Sequence, residues 1–180
     1  DRATAGLNFI THSSQNLQDN SETDTREIRR RLRVIYVAWR YISECLRRIR
    51  SGAIRCEKLR AWTMEWADGV EKVRGIELAS FSSVDKSGKP EIVEAGARDG
   101  VIRIQNRTAG ESGNSWKSTS GSKSQQRQYA SDEARRVAEN IVHEIGHVAR
   151  DVYPPSSDRD TEGGAADWNA YDSEHDKIYN

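Results

Sequence analysis

Residues 143–147 read His-Glu-Ile-Gly-His. Two His at i and i+4 project from one side of a helix, so both imidazoles can reach a single zinc ion. The Glu beside the first His can then sit over water at the metal and take its proton. The chain holds only four His, and half of them are here. This pattern makes His143 and His147 candidate ligands, Glu144 a candidate general base and Zn2+ the implied cofactor. The plainer alternative is a surface helix with two solvated imidazoles.

A helix must carry the motif, and the surrounding residues supply one. Ser131 is a plausible N-cap, which places a helix from Asp132 to about Arg150. Tyr153-Pro154-Pro155 ends it, because proline cannot continue a helix. Ala134, Ala138, Ile141, Ile145 and Val148 cluster on one side at 100° per residue. His143 and His147 fall on roughly the opposite side, with Glu144 at the border. Such a helix buries its apolar face and shows its histidines to a cleft.

The rest of the chain reads as support. Residues 1–23 are polar and expected as an arm. Asp24 and Glu27 form a capping-box pattern. After it, Ile28, Leu32, Ile35, Trp39, Ile42, Leu46 and Ile49 make one helical stripe. Gly52 is a stop. A second helix from about Arg55 to Val73 carries Leu59, Trp62, Trp66, Val70 and Val73 on one side. The short connection makes 24–74 an antiparallel helical hairpin. Residues 76–105 suggest a small, mostly antiparallel sheet, with strands near 76–81, 91–95 and 101–105 and turns at 85–90 and 98–100. Residues 107–130 are rich in Ser, Gly, Lys and Gln and are expected as a mobile loop. The expected fold class is α+β in a single domain over 1–180, with a zinc helix and ligand tail at 131–180.

Composition narrows the function classes. Lys+Arg and Asp+Glu both number 28, so the net charge is zero. That balance argues against a dedicated nucleic-acid or membrane-surface protein. The sum hides an asymmetry. Residues 26–60 hold 12 basic and 3 acidic side chains, net +9, while residues 151–180 hold 2 basic and 8 acidic, net −6. The arginines of the first helix surround an apolar stripe, as on a solvated amphipathic helix. Cys45 and Cys56 sit either side of the hairpin turn and are either bridged or two thiols. Asn106-Arg107-Thr108 is a glycosylation sequon.

Val142 to Val148 resembles the active-site helix of the zincin metallopeptidases. The metzincin branch is excluded, because Arg150 and Tyr153 stand where it has a Gly and a third His. The resemblance implies a third protein ligand, with one position left for water. In the tail, Gly164-Ala165-Ala166-Asp167-Trp168-Asn169-Ala170-Tyr171 resembles the aspzincin (deuterolysin-like) pattern, with Ala165 in place of Thr and one extra residue between Asp and Tyr. Carried over, Asp167 is the third ligand and Tyr171 donates to the oxyanion. Glu162, in a gluzincin-like arrangement, and Asp158 compete for the ligand role, and His175 and His12 remain candidates. The family also places a strand beside the substrate, and Val101–Gln105 is its expected counterpart.

The resemblance rests on about 30 residues and implies a zinc metallo-endopeptidase. The implied partner is a protein or peptide substrate, with neither nucleic acid nor membrane, and the protein is expected as a secreted monomer. An acidic rim from the tail is expected to favour Lys or Arg near the cleaved bond. Two other readings stay open. One is a non-enzymatic interaction module with a basic helical hairpin and at most a structural zinc. The other is a secreted toxin or effector protease directed at one host protein.

Overall fold

A computed structural model describes residues 9–12, 25–53, 61–84, 87–106, 116, 122–152 and 173. Its elements are β1 (Ile10–His12), α1 (Thr25–Arg50), α2 (Ala61–Lys72), β2 (Gly75–Ala79), β3 (Ser83–Val84), β4 (Pro90–Glu91), β5 (Ala95–Arg98), β6 (Val101–Gln105) and α3 (Lys123–Arg150). The fold is mixed α+β. Three helices cover a four-stranded sheet in the order β1-β2-β6-β5, and β3 pairs with β4 separately. None of the described helices is long and apolar enough to cross a membrane.

The sheet buries one face, as its period-2 pattern requires. Ile76 and Leu78 on β2 and Ile102 and Ile104 on β6 are buried together. They share a core with Ile35, Ala38 and Ile42 of α1 and Val137, Ile141 and Ile145 of α3. Across the other face Glu77 and Arg103 are register partners, and their side chains pair at 3.2 Å. The stripe on α1 thus does what its spacing implies.

The sheet is not mostly antiparallel. β1–β2 and β2–β6 run parallel, and within this sheet only β5–β6 is antiparallel. The β5–β6 turn uses Asp99 and Gly100 at φ 51 and 76. β6 then inserts between β2 and β5, so neighbours in sequence are not all neighbours in the sheet. Strand periodicity is the same for either direction, which is why it does not reveal this. The residues expected as a strand at 91–95 are also divided, with β4 ending at Glu91 and β5 beginning at Ala95.

Two boundaries differ as well. Part of the polar arm is a strand, because Ile10–His12 pairs with Ile76–Leu78. Phe9 beside it packs on Trp39, with ring centroids 5.2 Å apart. Three residues are too few to show a period. The motif helix begins at Lys123 and not near Asp132. Ser122 caps it, with Gln125 answering in a complete capping box. Its first turns are exposed and polar, so they show no apolar stripe, and Ser131 lies inside the helix.

α1 and α2 run antiparallel, since Arg47 meets Glu71 at 3.4 Å and Arg50 meets Asp68 at 3.0 Å. α2 also lies against α3 at unusually short range. A Cβ placed on Gly69 would stand 2.7 Å from the Ala149 Cβ, so only glycine permits this approach. Lys72 Nζ donates to the Ala149 carbonyl at 2.9 Å, which puts a cation at the C-terminal end of α3. Cys45 is a partly buried free thiol. Cys56 lies outside the described residues.

Candidate metal centre

α3 brings His143, Glu144 and His147 together as expected. Their ligand atoms all lie within 4.8 Å of one another. The two Nε2 atoms are 3.0 Å apart, and the rings meet edge to face at 83°. Two nitrogens at zinc-bond length in a tetrahedron stand roughly 3.3 Å apart. The pair is therefore close to the separation that one zinc ion needs.

The surroundings of this turn are less open than the helical wheel implies. His147 and Glu144 are buried, each 4% exposed, and His143 is half-buried. The histidines are not displayed on a free polar face. α2 covers one flank of the turn, and Asp151 and Val152 fold back over its C-terminal side.

That fold-back fixes His147. Asp151 adopts a left-handed cap conformation at φ 56, and its N–H donates to the His147 carbonyl. The Val152 N–H donates to the same carbonyl at 3.1 Å. The reversal aims the Val152 carbonyl at His147 Nδ1, 2.6 Å away. A carbonyl oxygen only accepts, so Nδ1 carries the proton. The neutral ring then has its lone pair on Nε2, the atom that faces His143. Such a partner on the far nitrogen sets both tautomer and ring orientation in metal-ligating histidines. Neither Asp151 nor Val152 was flagged by sequence spacing. The only local signal was a helix end just ahead of Tyr153-Pro154-Pro155.

Glu144 has a different environment. Its Oε2 is buried and has no hydrogen-bond partner among the described residues. Burial alone pushes the carboxyl up to about 8, so it holds its proton at neutral pH. A buried polar atom without a partner is rare in a native fold and calls for a physical reason. An ion or water between the flanking imidazoles would supply one. The chain's donor set therefore fits zinc, with two imidazole nitrogens near the required spacing and a carboxyl beside them.

The other expected site residues are placed unevenly. Asp167, Glu162, Asp158, His175 and Tyr171 lie outside the described residues. His12 is exposed on β1, and among the described residues it is not part of the metal cluster. Val101–Gln105 is an interior strand, paired on both sides by β2 and β5. It has no free edge to offer a substrate. β5 holds the edge position, and Glu94 just before it accepts from Asn140 of α3 at 3.0 Å. The sequon is engaged too. Asn106 is buried and its Oδ1 accepts from Arg31 at 2.9 Å, so a glycan on its Nδ2 would have to enter a packed interior.

No protein-family model, curated protein or solved structure matches the chain.

The residues around Asn106 were missed by sequence reasoning. Trp116 is fully buried within the segment expected as a mobile loop. Its indole N–H donates to the Gln105 carbonyl at 2.7 Å. The guanidiniums of Arg31 and Arg136 each lie 5.4 Å from its ring centroid, and Arg30 lies 5.8 Å away. Arg30 pairs with Glu27 and Glu133 at 2.6 Å, which ties α1 to α3. The Glu27 carboxyl is held below its ordinary value, first by the hydrogen bond from Arg30. A lone Trp in a Ser- and Gly-rich run was the available signal.

Proposed function

We propose that the protein is a zinc-dependent metallopeptidase. The reading is carried by one observation. His143 Nε2 and His147 Nε2 converge at 3.0 Å beside the buried Glu144 carboxyl. Bound zinc supplies a Lewis acid that lowers the pKa of water and polarises a carbonyl. His143 and His147 hold it through Nε2. The Val152 carbonyl keeps the His147 proton on Nδ1 and so keeps Nε2 available. Glu144 takes a proton from water and returns it to the leaving amine. With zinc bound, the adjacent positive charge would favour the ionised Glu144, the form that accepts a proton. Asp167 is the proposed third ligand and Tyr171 the proposed donor to the substrate oxygen that gains charge, both on the aspzincin resemblance.

Glu144→Gln tests the reading. Zinc stoichiometry should stay at one per chain, while hydrolysis of a mixed peptide library should fall by roughly 10²–10⁴-fold. A wild-type chain that binds zinc yet cleaves nothing in the library would leave the metal structural. A wild-type chain that binds no zinc would remove the basis for the proposal.

A further inference from the structure

Gly146 stands inside the metal motif, where glycine weakens a helix. The reason lies on α2. A Cβ at position 146 would sit 2.8 Å from Trp66 Cε2 and closer still to Cζ2. The indole occupies the space that any side chain would need. It is 2% exposed, so it has nowhere to move.

Trp66 also bonds to this turn. Its Nε1–H donates to the Val142 carbonyl at 2.8 Å. That carbonyl is the helical acceptor for the Gly146 N–H. Residues 142 and 146 therefore close one hydrogen-bonded turn, and each immediately precedes a candidate ligand. One turn further on, the Arg150 guanidinium lies 5.5 Å from the Trp66 ring centroid and pairs with Glu65 at 3.0 Å. Val142, Gly146 and Arg150 form a stripe at i, i+4 and i+8. The His143–His147 stripe lies one residue further round, about 100° away on the same helix.

We infer that Trp66 is a positioning residue for zinc binding: its N–H on Val142 and its ring on Gly146 hold the turn that sets the spacing of His143 and His147. The inference rests on the proposed zinc site. It adds α2 to the parts of the chain that determine metal affinity. In this role Trp66 acts through the backbone of α3. The fit explains why the residue between Glu144 and His147 that faces α2 has no side chain.

The test measures zinc affinity by competition with a chromophoric chelator, at a temperature where circular dichroism shows each variant folded. Trp66→Phe keeps an aromatic ring but removes the N–H and the outer ring of the indole. Zinc should bind about tenfold more weakly, the scale seen when a support of a metal ligand is lost. Gly146→Ala should weaken zinc binding as well. In the Trp66→Phe background the added methyl has room, so the same change should cost much less. Equal affinity of wild type and folded Trp66→Phe overturns the inference and leaves the zinc reading intact. No zinc binding by wild type overturns both. If Trp66→Phe does not fold, the wild-type chain decides. Its Trp66 indole N–H resonance, followed by 15N NMR, should shift until one equivalent of zinc is added, and an unmoved resonance refutes the coupling.

Discussion

The Nδ1 of His147 lies 2.6 Å from the carbonyl oxygen of Val152, five residues later and beyond the end of its own helix. A local chain reversal thus determines which nitrogen of a candidate ligand is protonated. The reversal depends on Asp151 at φ 56, a conformation that L-residues adopt at a cost of roughly 1–2 kcal/mol unless they are glycine or a short polar residue.

Substitution at Asp151 should therefore act on the metal and not only on the fold. Asp151→Gly accepts the left-handed cap and should leave zinc affinity near wild type. Asp151→Val resists that conformation and should release the Val152 carbonyl. About a tenfold loss in zinc affinity is expected, as for other partners of ligating histidines. Chelator competition on the two variants checks this. Equal affinities would mean that Val152 does not govern His147.

The metal-free protein should carry a pH signature from Glu144. Burial raises its carboxyl from an ordinary 4.5 to about 8. Between those values the folded state holds a proton that the unfolded state has released. The stability from this group is fully present below about 4.5 and is lost as pH rises through about 8. The single-group slope is roughly 1.4 kcal/mol per pH unit. Glu144→Gln removes the titration. Urea unfolding with chelator present should therefore show the variant gaining on wild type as pH rises from 5 toward 8. A gap that does not change with pH would contradict a buried, protonated Glu144.

The tail carboxylates should separate by zinc affinity. Loss of a direct ligand should exceed the upper end, about 100-fold, of what outer partners contribute. Asp167→Asn is expected to show that loss, while Glu162→Gln and Asp158→Asn stay within a few-fold of wild type. Isothermal titration with zinc ranks the three. A large loss at Glu162 alone would assign the gluzincin-like arrangement instead.

Trp116 should matter for stability far more than its sequence context suggests. It is fully buried among Arg30, Arg31 and Arg136. Trp116→Ala should destabilise the fold by about 3–5 kcal/mol, the usual range for a buried aromatic. Trp116→Phe should cost less, although the Gln105 carbonyl loses its 2.7 Å donor. Denaturant midpoints at fixed pH measure both. A midpoint unchanged in Trp116→Ala would mean the segment is not anchored there.

Much of the scaffold was legible because its signals are local. The seven-residue apolar stripe of α1 has a helical period, and all seven of its members pack in or against the core cluster. Val101–Gln105 alternates, and it forms β6 with the same bounds. The first turns of α3 were missed because exposed Ser, Gln and Arg carry no apolar period. β1 was missed because a three-residue strand is stabilised by its partner β2 and by Phe9 packing on Trp39, both remote in sequence.

The sequence by itself determined that His143 and His147 can share one metal ion, since a spacing of four on a helix is fixed by backbone geometry within a single turn. It also determined the mixed α+β composition, through the periods of its apolar residues. Only the tertiary structure decided the order and direction of the strands, the burial of Glu144, the proton on His147 Nδ1 and the slot that Gly146 leaves for Trp66. Each of these depends on which distant groups come within a few ångströms. Desolvation, hydrogen-bond pairing and steric exclusion all act at that range, and spacing along the chain does not encode it.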